Sequence, residues 1–234
     1  GWKASLLGGH FQSQIGGYYI NYQNMQFQLY DTEASNDTGT GTAIENLAPS
    51  TIEGIEISEQ AKLGHLGLAI GFNYNHSALG SIKTLPSYAL PPGFGSPLSH
   101  PQCLSGRTYS ADDICFDYAP YLDNVTGEQL PDAPTISGSV AVDYSVTVGT
   151  SAALDPRVMY SHTDKQYSTI FESPYNLLQA RDIWNANIDL VAGAWTLQLY
   201  GTNLSNQVYI VGVDGDRTYY GAPRQYGFMA RRDV

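Results

Sequence analysis

Along most of this chain, apolar and polar residues take turns. Leu66, Leu68, Ile70, Phe72 and Tyr74 alternate with Gly67, Ala69, Gly71 and Asn73. Ile136, Val140, Val142, Tyr144, Val146 and Val148 alternate with Ser137, Ser139, Asp143, Ser145 and Thr147, and Leu154, Val158 and Tyr160 continue the pattern. Trp184, Ala186, Ile188 and Leu190 are set against Asn185, Asn187 and Asp189, and Trp195, Leu197 and Leu199 against Thr196, Gln198 and Tyr200. In the last stretch Tyr226, Phe228 and Ala230 alternate with Gln225, Gly227, Met229 and Arg231. A period of two places successive side chains on opposite faces of an extended strand, so each segment has one apolar and one polar side. Gly1 to Leu7 reads as the tail of a strand. The segment 11–30 carries Tyr18, Ile20 and Tyr22 on one face and Met25, Phe27 and Leu29 in the opposite parity. That change requires a bulge or an end of pairing near Gln23 and Asn24. The segment 43–63 is the next strand region, clearest where Ile55 and Ile57 alternate with Gly54, Glu56 and Ser58. The pattern predicts an all-β chain of about nine strands.

The connections sort into two kinds. Gly8-Gly9, Gly64-His65, Val148-Gly149-Thr150 and Ala192-Gly193 are tight turns. Residues 31–42, 80–132, 163–177 and 205–219 are longer polar loops. Short and long alternate all along the chain, which puts every long loop at one end of the sheet. Outer-membrane barrels have this asymmetry, with short periplasmic turns and long extracellular loops. The segments also reach the ~9–11 residues that a tilted strand needs to cross a bilayer. The polar face carries Ser137, Ser139, Asp143, Ser145, Asn185, Asn187, Asp189 and Gln198, which a dry core would leave without partners at a cost. Such residues suit a wet lumen.

Composition agrees. Apolar residues make up 42% of the 234, but charged residues only 14%, against about 25% in soluble domains. Uncharged polar residues and 18 tyrosines fill the gap. Strands that meet lipid on one side and water on the other have this composition, although a Tyr-rich soluble sandwich shares some of it. The net charge is −11, with no basic run beyond Arg231-Arg232; nucleic-acid binding, which needs Lys and Arg against phosphates, is not expected. No apolar run approaches the ~20 residues of a membrane helix, which says nothing about a barrel.

Three stretches carry a family resemblance. Trp195 to Tyr209, with Asn203 and Leu204, is followed by Gly221-Ala222-Pro223-Arg224 leading into Tyr226-Gly227-Phe228. The second is Asn46 to Ile57, ending Gly54-Ile55-Glu56-Ile57, and the third is Leu130-Pro131-Asp132-Ala133-Pro134-Thr135-Ile136-Ser137. In this order and spacing they resemble the barrel of TonB-dependent outer-membrane receptors. The resemblance implies a transmembrane antiparallel up-and-down β-barrel. Residues 1–234 would form the last nine strands of about 22, with 80–132 as a long extracellular loop and a plug domain upstream. It further implies active uptake of a scarce nutrient, such as an iron chelate, cobalamin or a saccharide, across the outer membrane of a Gram-negative bacterium. The expected partners are a TonB-type periplasmic coupling protein acting through that plug, the bilayer with its lipopolysaccharide, and the small-molecule ligand. The family ends on an aromatic residue where this chain has Arg232-Asp233-Val234, pointing to an incomplete terminus or a degenerate assembly signal. A soluble lectin-like binding module and a passive porin are the competing readings. The alternating loops allow the porin; the three motifs argue against it.

Candidate chemistry is sparse. Cys103 and Cys115 sit in the long loop and are expected to form one disulfide, since two cysteines fall short of the four ligands of a structural metal site. The loop aromatics Tyr88, Phe94, Tyr109, Tyr118 and Tyr121 could stack on a ligand or pack the loop against itself. His10, His65, His76, His100 and His162 form no spaced pair, and neither a nucleophile elbow nor a phosphate loop occurs. Asp112-Asp113 and the oxygen-rich loop 31–42 read as solvated, without the ordered pattern of a calcium loop. No enzyme activity, cofactor or metal is expected.

Overall fold

A computed structural model of the protein describes residues 1–30, 42–86, 103, 117–214 and 217–233. In chain order the strands begin with β1 (Trp2–Leu6), β2 (Phe11–Tyr22), β3 (Gln26–Tyr30), β4 (Thr42–Asn46), β5 (Ser50–Leu63) and β6 (Leu66–Ala78). Then come β7 (Lys83–Thr84), β8 (Asp123–Asn124), β9 (Ile136–Tyr144), β10 (Val146–Val148), β11 (Ala152–Thr163) and β12 (Gln166–Tyr167). The chain closes with β13 (Leu177–Leu178), β14 (Arg181–Ala192), β15 (Trp195–Thr202), β16 (Ile210–Asp214), β17 (Arg217–Tyr220) and β18 (Gln225–Arg232). One large sheet holds β1, β2, β5, β6, β9, β11, β14, β15 and β18 in that order, and every neighbouring pair along it is antiparallel. The path never skips a place: it is an up-and-down wall of nine strands. β10 continues β9 beyond Ser145, pairing Val146 with Leu154 in the register that also pairs Asp143 with Arg157.

The connections fall as the sequence alternates them. At one end, all four tight turns place glycine in the left-handed region: Gly8 at φ 68° and Gly9 at 93°, Gly64 at 62°, Gly149 at 63° and Gly193 at 57°. That conformation is nearly free only for glycine. The long connections gather at the other end and carry the two-stranded pairings β3–β4, β7–β8, β12–β13 and β16–β17.

Here the structure corrects the strand reading. Residues 11–30 and 43–63 are each two elements. The barrel strand β2 stops at Tyr22, Asn24 takes φ 55°, and β3 then pairs with β4 in a separate sheet. The parity change near Asn24 is thus an end of pairing rather than a bulge. The period of two is the same in a barrel strand and in a loop hairpin, so alternation alone cannot tell them apart.

Directly paired residues share a face of a sheet. Following Ile57 across the ladder gives Ile15 on β2, then Phe72 on β6; Ala61 leads through Leu68 and Val142 to Val158 and Ala186. Apolar positions therefore run across one outer face, interrupted by the hydrogen-bonded pair Ser13 and Glu59, and much of it is exposed in this chain: Ile55 48%, Phe72 39%, Val140 38%, Val158 45%, Ile188 45% and Leu199 60%. The polar positions line the other face, which on β2 also carries Tyr18, Ile20 and Tyr22.

The buried core lies elsewhere. Leu29, Leu47, Leu79, Val125 and Ile170 pack together with Phe27, Ile82, Leu130 and Phe171. These residues belong to the connections β2–β5, β6–β9 and β11–β14, outside the wall itself. A barrel strand has lipid on one side and lumen on the other, so a conventional protein core forms only where the loops meet.

Candidate functional site: the lumen wall and its loop cap

The polar face is the hollow one. A cavity of about 390 Å³ is lined by His10, Gln12, Gln60, Lys62, Asp143 and Arg157. Beside it, sharing Gln12 and Gln60, a second of about 470 Å³ adds Lys3, Ser5, Gln14 and Ser58. A third lies against Arg157, Asn185, Asn187, Gln198 and Tyr200. Polar contacts run along this wall: Arg157 lies 3.8 Å from Asp143, both about half exposed, and Asn187 donates to Asp189 at 3.2 Å. An ion pair this open to water adds little stability. These groups present donors, acceptors and both signs of charge to whatever fills the lumen.

Gly54 and Glu56 of the second motif face this wall. Gly54 pairs with Tyr18, whose ring crosses the space a Cβ would need and whose hydroxyl donates to Asn75 Oδ1 at 3.1 Å. Tyr200 covers Gly227 in the same way. Glu56 is exposed on the polar face, opposite Asn73.

The C-terminal motif becomes one lock at the outer end of the last hairpin. Asn203 is 3% exposed, with φ at 47°. Its amide donates to the carbonyls of Gln207 at 2.8 Å and Ala222 at 3.1 Å, and its Oδ1 accepts from the Gln207 N–H at 2.9 Å. Its own N–H reaches Asn185 Oδ1 at 3.0 Å, and the Leu204 N–H reaches the Trp184 carbonyl at 2.8 Å. Gly221 donates to the Tyr209 carbonyl at 2.9 Å and leaves room for that tyrosine ring. The Arg224 guanidinium lies 3.4 Å from the Leu204 carbonyl, and Pro223 sits exposed between Ala222 and Arg224. The motif residues thus hold the chain; none is aimed at the lumen cavities.

Above the wall, two of the three connections that share the apolar core, β6–β9 and β11–β14, are also tied by hydrogen bonds. Leu79 and Glu128 bond through their backbones at 2.9 Å, Leu130 N–H meets Ser77 Oγ at 3.1 Å, and Asp132 N–H meets the Tyr167 carbonyl at 2.8 Å. Glu172 Oε1 accepts from the Gln129 N–H at 2.9 Å, while the Glu172 N–H reaches Glu128 Oε2 at 3.3 Å. Burial pushes the Glu128 carboxyl above the ordinary carboxylate range; nearby Glu172 and Asp123 push the same way, against the bond from the Glu172 backbone.

Of the loop aromatics, Tyr88, Phe94 and Tyr109 lie outside the described residues. Tyr118 is fully buried, with no face open to a ligand, and its hydroxyl is pushed up by that burial. Tyr121, in a single 3-10 turn Ala119–Tyr121, is half-buried. Cys115 lies outside the described residues, and Cys103 is not a free thiol. Among the described residues no group of His, Cys, Asp and Glu is placed to hold a metal, and no helix is long and apolar enough to cross a membrane. Sequence reading missed the loop core and the Asn203 hydrogen bonds. The only sign of the core was the misplaced parity of Met25, Phe27 and Leu29.

An up-and-down antiparallel wall, apolar outside, polar and hollow inside, with turns at one end and packed loops at the other, defines the wall of an outer-membrane β-barrel. The family model described as TonB dependent receptor-like, beta-barrel matches residues 1–204, and the chain belongs to that family. Its place is the outer membrane of Gram-negative bacteria. Among solved structures it is similar to the siderophore receptor PiuA of Acinetobacter baumannii, at 18% identity and a TM-score of 0.63, covering 97% of this chain and 26% of that one. The ferric yersiniabactin uptake receptor FyuA of Yersinia pestis aligns at 13% identity and a TM-score of 0.65, covering 96% and 28%. The ferric-catecholate import receptor Fiu of Escherichia coli K12 aligns at 14% and 0.59, covering 98% and 26%. The chain therefore spans about a quarter of the length of these receptors. No curated protein matches it in sequence.

Proposed function

We propose that this wall belongs to an active transporter that takes up a scarce nutrient, with a metal chelate as the first candidate, and that performs no covalent chemistry. The observation that carries this reading is a polar inner wall, hollow toward its tight-turn end, joined to a packed loop cap at its opposite end. A passive pore needs the first and gains nothing from the second. The siderophore receptors among its structural relatives, and a copper transporter, favour a metal-bearing solute. In this reading an upstream plug fills the lumen, a TonB-type coupling protein pulls on it, and the ligand passes inward as the plug rearranges.

The loop 80–132 would supply specificity, with Tyr88, Phe94, Tyr109 and Tyr121 on the ligand side and Tyr118 anchoring the loop from beneath. Cys103 pairs with Cys115 in this reading, closing a short loop worth about 3 kcal/mol of ordering. Uptake of radiolabelled iron chelates by cells with and without this receptor tests the proposal. Accumulation that needs both the receptor and an energised inner membrane supports it. Accumulation that persists after the coupling protein is deleted would leave a passive pore, and no accumulation of any metal chelate would remove the substrate class.

A further inference from the structure

A polar cluster stands on the mostly apolar outer face, near its extracellular end. Tyr160 pairs with Trp184 and Val140, and His162 with Asp182 and Gly138, so all four side chains stand on the outer, apolar face. The same face carries Val158, Ala186, Ile188 and Leu190 nearer the tight turns. His162 is ten residues along β11 from Ala152 at the turn end. At a rise of about 3.3 Å per residue and a tilt near 45°, that is about 23 Å up, at the extracellular limit of an apolar band about 25 Å tall. A carboxylate on a lipid-facing surface is costly within hydrocarbon and tolerable among headgroups.

The cluster is wired as a receptor for hydroxyls. Asp182 Oδ1 accepts from the Tyr160 hydroxyl at 2.5 Å and lies 2.8 Å from His162 Nδ1. Its backbone N–H donates to Gln207 Oε1 at 2.8 Å, fixing the top of the strand. Because His162 uses Nδ1 on the carboxylate, Nε2 is the ring nitrogen left to face outward. The Asp182 side chain remains 52% exposed and that of His162 34%. Beside them the Trp184 ring, in a residue 45% exposed, lies 4.8 Å from the Tyr160 ring at 45°. An aromatic plate next to a carboxylate and an imidazole suits a sugar: its C–H face stacks while its hydroxyls find acceptors and donors. A bare phosphate fits poorly. Asp182 would repel it, and the adjacent cation, Arg181, alternates to the inner face and lies 5.7 Å from the Tyr209 ring.

We propose that Tyr160, His162, Asp182 and Trp184 form a binding site for the sugar headgroup of an outer-leaflet glycolipid. The site is independent of the nutrient and of energy coupling; it needs only the outer membrane around it. The test uses the full receptor, purified folded in detergent, with lipopolysaccharide and its enzymatically dephosphorylated form as probes, read by native mass spectrometry. Wild type should retain both forms alike. Asp182→Asn and Trp184→Ala should each weaken retention by about tenfold, the scale of losing one charge-assisted bond or one stacking face, while Asp155→Asn on the inner face should not. A heat-shifted gel band checks that each variant is folded, and Asp182→Asn, nearly isosteric, serves if Trp184→Ala is not. Equal retention by wild type and Asp182→Asn overturns the proposal. So does loss of binding on dephosphorylation, which would make the ligand a phosphate, or equal displacement by phosphatidylethanolamine, which would make the surface unselective.

Discussion

Asn203 satisfies three backbone groups with one amide and gives up its own N–H to Asn185. At 3% exposure water cannot replace those bonds. Asn203→Ala should therefore destabilise the folded barrel by about 3 kcal/mol, since each buried group left unpaired costs roughly 1–3 kcal/mol. The temperature at which the folded gel band disappears reads this directly. Asn203→Asp should rescue little, because it restores the acceptor for Gln207 while turning a charge toward the Gln207 and Ala222 carbonyls. The residues of this motif were legible in the sequence as a pattern; their reason was not. Asn203, Gly221 and Ala222 meet only after the chain has passed through β16 and β17, and no local spacing rule reports a contact across 19 residues. The outer cluster was hidden for a related reason: Tyr160 and Trp184 satisfy the apolar period, and only the register of β11 against β14 brings Asp182 beside His162.

The strands make the simplest demand on the chain, which is to keep two faces distinct. On β6, Phe72 belongs to the lipid side, between Ile57 and Gly138, and Asn73 to the lumen. Phe72→Lys should cost about 2–4 kcal/mol in a bilayer, while Asn73→Lys should be nearly neutral, because only the first puts an unpaired charge into hydrocarbon. Reversible unfolding from lipid vesicles would measure the difference. The alternation in β6, β9, β14 and β15 was readable without a structure, as was the strict order of tight and long connections. The register and the fate of β3 and β4 were not. Nothing in Gln26–Tyr30 says that its partner is a loop strand; its apolar side chains are claimed by residues about 50 to 140 positions away, through the core that Leu79, Val125 and Ile170 complete.

At the scale of the whole molecule, three of the long connections share one core, and Glu128 beside it makes the cap sensitive to pH. Its carboxyl is raised above its unfolded value, so the folded cap binds more protons than the unfolded chain. The stability this gives is complete below the ordinary carboxylate range and is lost as pH rises through the raised folded value. Glu128→Gln should thus unfold at the same temperature as wild type in acid and at a higher one at neutral pH, by thermal scans at both. A lower midpoint at neutral pH would mean that the bond from the Glu172 N–H outweighs the burial. The barrel class could be read from period and loop order, because both follow from lipid outside and water inside. The solute could not, because the described wall offers mixed donors, acceptors and charges with no single chemistry.

Two faces of one wall meet two different media. Nitroxide labels on the intact receptor in lipid vesicles, placed singly at Leu68, Ile70 and Phe72 and at Ala69 and Asn73, test this most directly. Collision with oxygen, which concentrates in lipid, should dominate at the first three. Collision with a water-soluble nickel complex should dominate at the other two, giving a period of two along β6. Water-like accessibility at all five positions, or the reverse assignment of the faces, would contradict the account.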